Sequence, residues 1–251
     1  MDHGKVFLVG AGSGDPTLLT VKAEKLLKTA EIVIYDRLVS QEILKLIPET
    51  AEKIYVGKRT GKHVVPQEKI TELLVEKALA GKNIVRLKGG DPFIFGRGGE
   101  EAEALADNEI EFEVVPGVSS SVAAPMYAGI PLTHRDYASS VAIVTGHRAG
   151  EGERTVDWTK IARAVDTIVI LMGVESLDAI TKKLVEGGLN PATPVAVIEK
   201  GTSAEQRTVT GRIDTIFKKA EAAKIQPPAV IVIGEVVSLG RKLSWFKTNP
   251  R

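Results

Sequence analysis

Short runs of β-branched and other apolar residues alternate, along the first half of the chain, with longer stretches in which apolar positions recur every three or four residues. That alternation is the pattern of parallel α/β units. The apolar runs predict strands at 5–9, 32–35, 53–56, 83–87 and 112–115. Among the stretches between them, PQEKITELLVEKALA at 66–80 places Ile70, Leu73, Leu74 and Lys77 at helical spacing, and Gly81 stops it. The dipeptide Pro116-Gly117 punctuates the last strand of this series, which puts a domain boundary there, with domains 1–116 and 117–251.

After that boundary the pattern restarts with a small-residue helix at 118–128 and strands at 141–145, 167–172 and 195–199. It then changes character. Strands at 206–210 and 229–234, separated by a helix at 213–224, predict a mixed second sheet against a mostly parallel first one. The tail, 241–251, is expected to be loosely held.

Composition narrows the function. With 251 residues and 43% hydrophobic content the chain can bury two cores. Lys and Arg (33) balance Asp and Glu (32), so bulk charge offers no route to nucleic acid or membrane, and recognition of anions has to be local. The absence of cysteine excludes disulfides, thiolate metal sites and a thiol nucleophile, and the four histidines show no metal-ligand spacing. No metal is expected. No leader-like or membrane-length apolar segment is visible, so the expected setting is cytoplasmic.

The turn GAGSGDPTLLT, following the first strand, resembles a dinucleotide fingerprint only in part. Gly10 and Gly12 fit, and Asp36 ends the second strand at a suitable distance, but Asp15 occupies the sixth position and Pro16 removes an amide donor. Asp15 is better read as a helix cap with Pro16 at the first helical position. Three glycines within five residues still suggest that something approaches the backbone closely. A second cluster, VRLKGGDPFIFGRGGEE, joins glycine backbone to an acid and to Phe93, Ile94 and Phe95, but lacks the Gly-Lys-Ser/Thr of a phosphate loop.

Taken together, GAGSGDPTLLT, VGKRTGKHVVPQEKI, VRLKGGDPFIFGRGGEE, VVPGVSSSVAAPMYAGIPLTHRDYASSVAIVTGH, ILMGVE and PVAVIEKGTSAEQRTVTG resemble the tetrapyrrole methylase family over nearly the whole chain. GGDPFIFGRGGEE and GIPLTHRDYASS point to those members that methylate uroporphyrinogen III. The resemblance implies two α/β domains with the active site in the cleft between them, a homodimer, and S-adenosylmethionine as methyl donor, leaving S-adenosylhomocysteine. It also implies methylation of uroporphyrinogen III at carbons 2 and 7 to precorrin-2, on the way to sirohaem or cobalamin. A methylase of a later corrinoid precursor, a non-catalytic regulator that binds the donor, and a Rossmann oxidoreductase are the alternatives.

By matching motifs, the resemblance places donor contacts at Gly89, Gly90, Asp91, Ile94, Ser119, Ser120, Met172 and Gly201. Ser13 joins them where the family usually has proline. It places an acid–base pair at Asp36 and Lys58. Both residues also fall just past the carboxyl ends of adjacent predicted strands, the edge at which open α/β sheets bind ligands. Asp36 could instead be a cap or orient a pyrrole N–H, and Lys58 could anchor a propionate. The substrate carries eight carboxylates, so basic residues on loops after the strands are candidates to bind it: Arg37, Arg59, Arg97, His134 and Arg135.

Overall fold

The computed structural model describes residues 3–57, 65–146 and 155–247. The chain divides into two compact units, Met1–Ser119 and Ser120–Arg251.

The first unit is built on five parallel strands: β1 (Val6–Gly10), β2 (Ile32–Tyr35), β3 (Glu52–Tyr55), β4 (Ile84–Lys88) and β5 (Phe112–Val115). They lie in the order β3-β2-β4-β1-β5, so β4 is central. Alternation along the strands sends Val6, Leu8, Ile32, Ile34 and Ile84 to one face. There they meet α3 (Gln67–Leu79) through Ile70, Leu74 and Ala78, and α4 (Gly98–Asp107) through Ala102 and Leu105. Val9, Val33, Val85 and Leu87 pack on the other face against α1 (Val21–Lys28) and α2 (Gln41–Leu44). Thr20 caps α1 by accepting from the Ala23 amide at 3.1 Å. Gly81, at φ +78°, closes α3, which only glycine does without strain. Because every strand is parallel, all five carboxyl ends share one edge, and the loops leaving that edge carry the glycine motifs.

The second unit holds α5 (Ser120–Tyr127) and then β6 (Val141–Thr145), α6 (Trp158–Ala164), β7 (Thr167–Leu171), α7 (Leu177–Glu186), β8 (Pro194–Glu199), β9 (Arg207–Arg212), α8 (Ile216–Ala222) and β10 (Ala229–Ile233). Its sheet runs β6-β7-β10-β8-β9, parallel only between β6 and β7. This is the expected pairing of a parallel sheet with a mixed one. Helices α6, α7 and α8 cover one face through Ile168, Ile170, Val195 and Ile231, while Ala124 of α5 packs on the other with Val169 and Val232.

Two local expectations differ. The helix expected from 213 begins at Ile216, because β9 runs on to Arg212, whose side chain pairs with Asp214 at 2.6 Å. The described part of the tail is not loose: the Trp245 indole donates to the Met126 carbonyl at 3.0 Å and meets the Tyr127 ring edge-on at 4.9 Å. Among the described residues no helix is long and apolar enough to cross a membrane.

Candidate active site

At the carboxyl edge of the first sheet, three loops are clipped together through their backbones. The loops after β1 and β4 pair at Gly12 and Gly90, with Gly90 N–H donating to Gly12 O at 2.7 Å and Gly12 N–H to Gly90 O at 3.1 Å. The loop after β5 joins them at Gly117. A methyl group on Gly10 would lie 2.5 Å from the Gly117 nitrogen, and one on Gly117 would lie 2.2 Å from the Gly90 oxygen. The close approach that the first glycine cluster implied is therefore, at Gly10, the chain's own backbone. Gly12 is required for its φ of +72°, since a methyl there would make only ordinary contact with Leu18, at 3.8 Å from its carbonyl oxygen. Half-buried Ser13 lies between Gly12 and Gly14. Asp15 caps the following turn, accepting from the Thr17 amide at 2.8 Å and from its hydroxyl at 2.6 Å, with Pro16 at the first position as its type suggested.

Asp91 fixes the second cluster. One carboxylate oxygen accepts from the amides of Phe93 and Ile94, at 2.8 and 3.2 Å, and the other from the Gly117 amide at 3.1 Å. The carboxylate thereby ties the β4 loop to the β5 loop. The segment after it is strained: Phe95 and Arg97 have φ of +53° and +57°, a region that side chains other than glycine occupy at a cost of about 1–3 kcal/mol each. Phe93, Ile94 and Phe95 are exposed, so they form an apolar wall outside the core. Gly90 adopts φ +72° with no atom closer than 4.0 Å to where a methyl would sit, whereas a methyl on Gly89 would meet the Leu38 side chain at 2.6 Å.

Beneath this edge lies a set of charges that the sequence reading did not single out. Arg86 and Lys88 point from β4 toward α3 and α4, and with Glu101 of α4 they are 1%, 2% and 0% exposed. Glu101 accepts from Arg86 Nε at 3.0 Å, from Lys88 Nζ at 2.8 and 2.9 Å, and from the Gln67 side-chain Nε2 at 2.9 Å. The Arg86 guanidinium reaches on to Asp36, at 2.7 Å, just past β2. Burial and the neighbouring Arg86 push the Lys88 ammonium below the ordinary lysine pKa, against the pull of Glu101 and Asp36. The available signal was two cations spaced for one face of a strand otherwise apolar enough to be central, with an acid in the following helix.

The remaining candidates are less concentrated. Arg37 and Arg135 are exposed. Arg97 is engaged by Glu100 through two contacts, 2.8 and 2.6 Å, which hold the Glu100 carboxyl below its ordinary pKa. His134 Nδ1 accepts from the Asp136 amide at 3.1 Å, and its ring meets Tyr137 edge-on. Lys58 and Arg59 lie outside the described residues. Ser119 ends the first unit, half-buried.

In the second unit, Ser120 opens α5. Met172, just beyond β7, has φ +55° and is 54% exposed. A methyl on Gly201 would come within 2.3 Å of Ala124 Cβ, so this glycine has a packing reason of its own. Among the described residues no group of three or more His, Asp or Glu could hold a metal ion.

Residues 5–216 match the family described as Tetrapyrrole (Corrin/Porphyrin) Methylases. An S-adenosyl-L-methionine-dependent uroporphyrinogen III methyltransferase from Methanosarcina barkeri is 52% identical over 249 residues, covering 99% of this chain and 98% of that relative. A uroporphyrinogen-III C-methyltransferase from Bacillus subtilis is 49% identical over 246 residues, covering 98% and 96%. The crystal structure of a uroporphyrin-III C-methyl transferase from Thermus thermophilus, complexed with S-adenyl homocysteine, matches with a TM-score of 0.80 at 44% identity, covering 94% of this chain and 100% of that one. The chain spans about half the length of other curated relatives that it matches at 50% identity.

Proposed function

The chain belongs to the tetrapyrrole methylase family, and from that premise we propose that it is an S-adenosylmethionine-dependent methyltransferase acting on uroporphyrinogen III. The proposed reaction adds methyl groups at carbons 2 and 7 and yields precorrin-2, for sirohaem or cobalamin synthesis. The observation that carries this reading is the end-to-end identity with a methyltransferase of that specificity, which covers nearly all of both chains.

The residues present suit the donor. Gly90 combines a left-handed backbone with nothing nearer than 4.0 Å to where a side chain would sit, and Ile94 and Phe95 offer exposed apolar surface in the same loop. An adenosine needs that combination of approachable backbone and a flat apolar wall. Gly89, Asp91, Ser119 and Ser13 are proposed to complete the contacts within this unit. Gly89 and Asp91 act through the loop they shape: Gly89 lets the loop pass Leu38, and Asp91 spends both oxygens on backbone amides. In the second unit, Ser120, Met172 and Gly201 are proposed as donor contacts, Met172 through its exposed thioether side chain.

When bound, the donor supplies an electrophilic methyl carbon on a sulfonium. The chain's own part is chiefly to align a pyrrole carbon behind that methyl, and to hold a group that takes a proton from the macrocycle. Asp36 is proposed for the proton, with Lys58 as its partner. Arg37, Arg59, Arg97, His134 and Arg135 are proposed to meet the propionates, Arg97 by exchanging Glu100 for a substrate carboxylate. A homodimer is the proposed assembly.

Calorimetry separates this reading from its rival. S-adenosylhomocysteine is expected to bind and NADH is not; tight NADH binding without affinity for S-adenosylhomocysteine would overturn the proposal. For the acid–base pair, D36N and K58A are expected to lower turnover. Full turnover in both, with only weaker substrate binding, would remove that assignment while leaving the methyl transfer intact.

A further inference from the structure

The buried charges on β4 end at the proposed proton-transfer group, and the way they are seated has a functional direction. Register places Arg86 beside Ile34 on the neighbouring parallel strand β2. From there its guanidinium is held on every side: Nε donates to Glu101 at 3.0 Å, Nη2 to Asp36 at 2.7 Å, and Nη1 lies 3.4 and 3.3 Å from the carbonyls of Ile34 and Leu87. Lys88 occupies both oxygens of Glu101, and the Gln67 side-chain Nε2 donates to Glu101 as well. Glu101 thus cannot turn away from Arg86 without stranding a second buried cation.

Charges balance across the four groups: two cations, Arg86 and Lys88, face two carboxylates, Glu101 and Asp36. Three of the four are sealed from solvent, whereas the Asp36 side chain keeps 30% of its surface exposed. Of the quartet, only Asp36 can meet a small molecule. Nothing in stability alone calls for this arrangement, since well-packed apolar residues commonly replace buried ion pairs without loss. A planar two-armed cation anchored from behind is, however, a means of fixing the angle of a carboxylate.

We propose that Arg86, seated by Glu101 and Lys88, is a positioning residue that holds the Asp36 carboxylate in its working orientation. This rests on the reading of Asp36 as the proton-transfer group. Among the described residues, the charged groups around Asp36 are Arg86 and Lys88 from β4, Glu101 from α4 behind them, and Arg37 next to it in its own loop. Arg86 touches no substrate; it acts through the carboxylate it orients.

A double-mutant cycle on the full chain tests this, reading kcat, KM for uroporphyrinogen III and S-adenosylhomocysteine affinity for wild type, R86Q, D36N and D36N/R86Q. In the wild-type background R86Q is expected to lower kcat by roughly 10- to 100-fold, the scale of a misplaced catalytic group, with donor affinity within about twofold of wild type. In the D36N background the same substitution is expected to change kcat by less than about twofold, because the group it orients is already gone. R86K, whose ammonium can reach one carboxylate but cannot bridge two, is expected to recover only part of the loss. If R86Q does not fold, R86K goes through the same cycle with the same two readings. Equal kcat losses from Arg86 substitution in both backgrounds would overturn the proposal and leave Arg86 a scaffold residue, as would wild-type kcat in both Arg86 variants. Full turnover in D36N alone would instead overturn the reading of Asp36.

Discussion

Lys88 Nζ sits 2.8 and 2.9 Å from the two carboxylate oxygens of Glu101, and neither side chain has appreciable contact with solvent. Removing one member of such a pair strands the other. E101Q leaves Lys88 and Arg86 without their shared buried anion and is expected to destabilise the first unit by about 3–5 kcal/mol in urea unfolding. Adding K88M to E101Q removes one of the stranded cations and is expected to recover part of that loss. An E101Q variant as stable as wild type would mean that the pair is not formed in solution.

Backbone contact at the sheet edge makes a separate demand. A methyl on Gly117 would lie 2.2 Å from the Gly90 oxygen and 2.7 Å from Gly10 Cα, atoms that cannot move without separating the three loops. G117A is expected to cost about 1–3 kcal/mol, as overpacking does, and to weaken S-adenosylhomocysteine binding together with stability. Differential scanning calorimetry and a binding isotherm on the same sample check both effects.

Strain and function are expected to part at Met172. Its left-handed φ of +55° is one that glycine adopts freely, and its side chain is 54% exposed, so little packing is lost on its removal. M172G is expected to leave the urea midpoint unchanged or raised while weakening S-adenosylhomocysteine affinity about five- to tenfold. Unchanged affinity would remove Met172 from the proposed donor contacts.

Acid sensitivity has a defined contributor in the second unit. Asp157 caps α6, accepting from the Thr159 hydroxyl at 2.7 Å, the Lys160 ammonium at 3.1 Å and the Lys160 amide at 3.2 Å, and these bonds, led by the Thr159 hydroxyl, hold its carboxyl down at about 2. A carboxyl whose folded pKa is depressed contributes stability that is fully present above its unfolded value of 3.8 and is lost as pH falls through about 2. The stability gap between wild type and D157A is therefore expected to be constant near neutrality and to close between those two pH values. Urea midpoints at a series of pH values measure it.

Much of the fold could be read from the chain because periodicity reports burial. The expected run at 32–35 is β2, and that at 112–115 is β5, since β-branched residues flanked by polar turns have no other way to hide their side chains. Asp15 and Pro16 were readable for the same local reason: a cap and a first-turn proline act within their own turn. Contacts distant in sequence were not readable. The glycines of the first turn suggest a close approach to the backbone, and at Gly10 what approaches is the chain itself, at Gly117. Arg86 falls inside the run expected at 83–87 and Lys88 just past it, and nothing local in the sequence turns them inward; only the packing of α4 shows that Glu101 comes to meet them. Trp245 falls in the stretch expected to be loose, and the Met126 carbonyl that holds it lies 119 residues away in sequence.

The central claim is two methyl transfers from S-adenosylmethionine to one uroporphyrinogen III. Its most direct test is mass spectrometry of the tetrapyrrole after incubation of the purified chain with uroporphyrinogen III and donor labelled in the methyl group. The account expects a product carrying two labelled methyl groups per macrocycle. A product carrying one, or an unlabelled tetrapyrrole from protein that still binds S-adenosylhomocysteine, would contradict it.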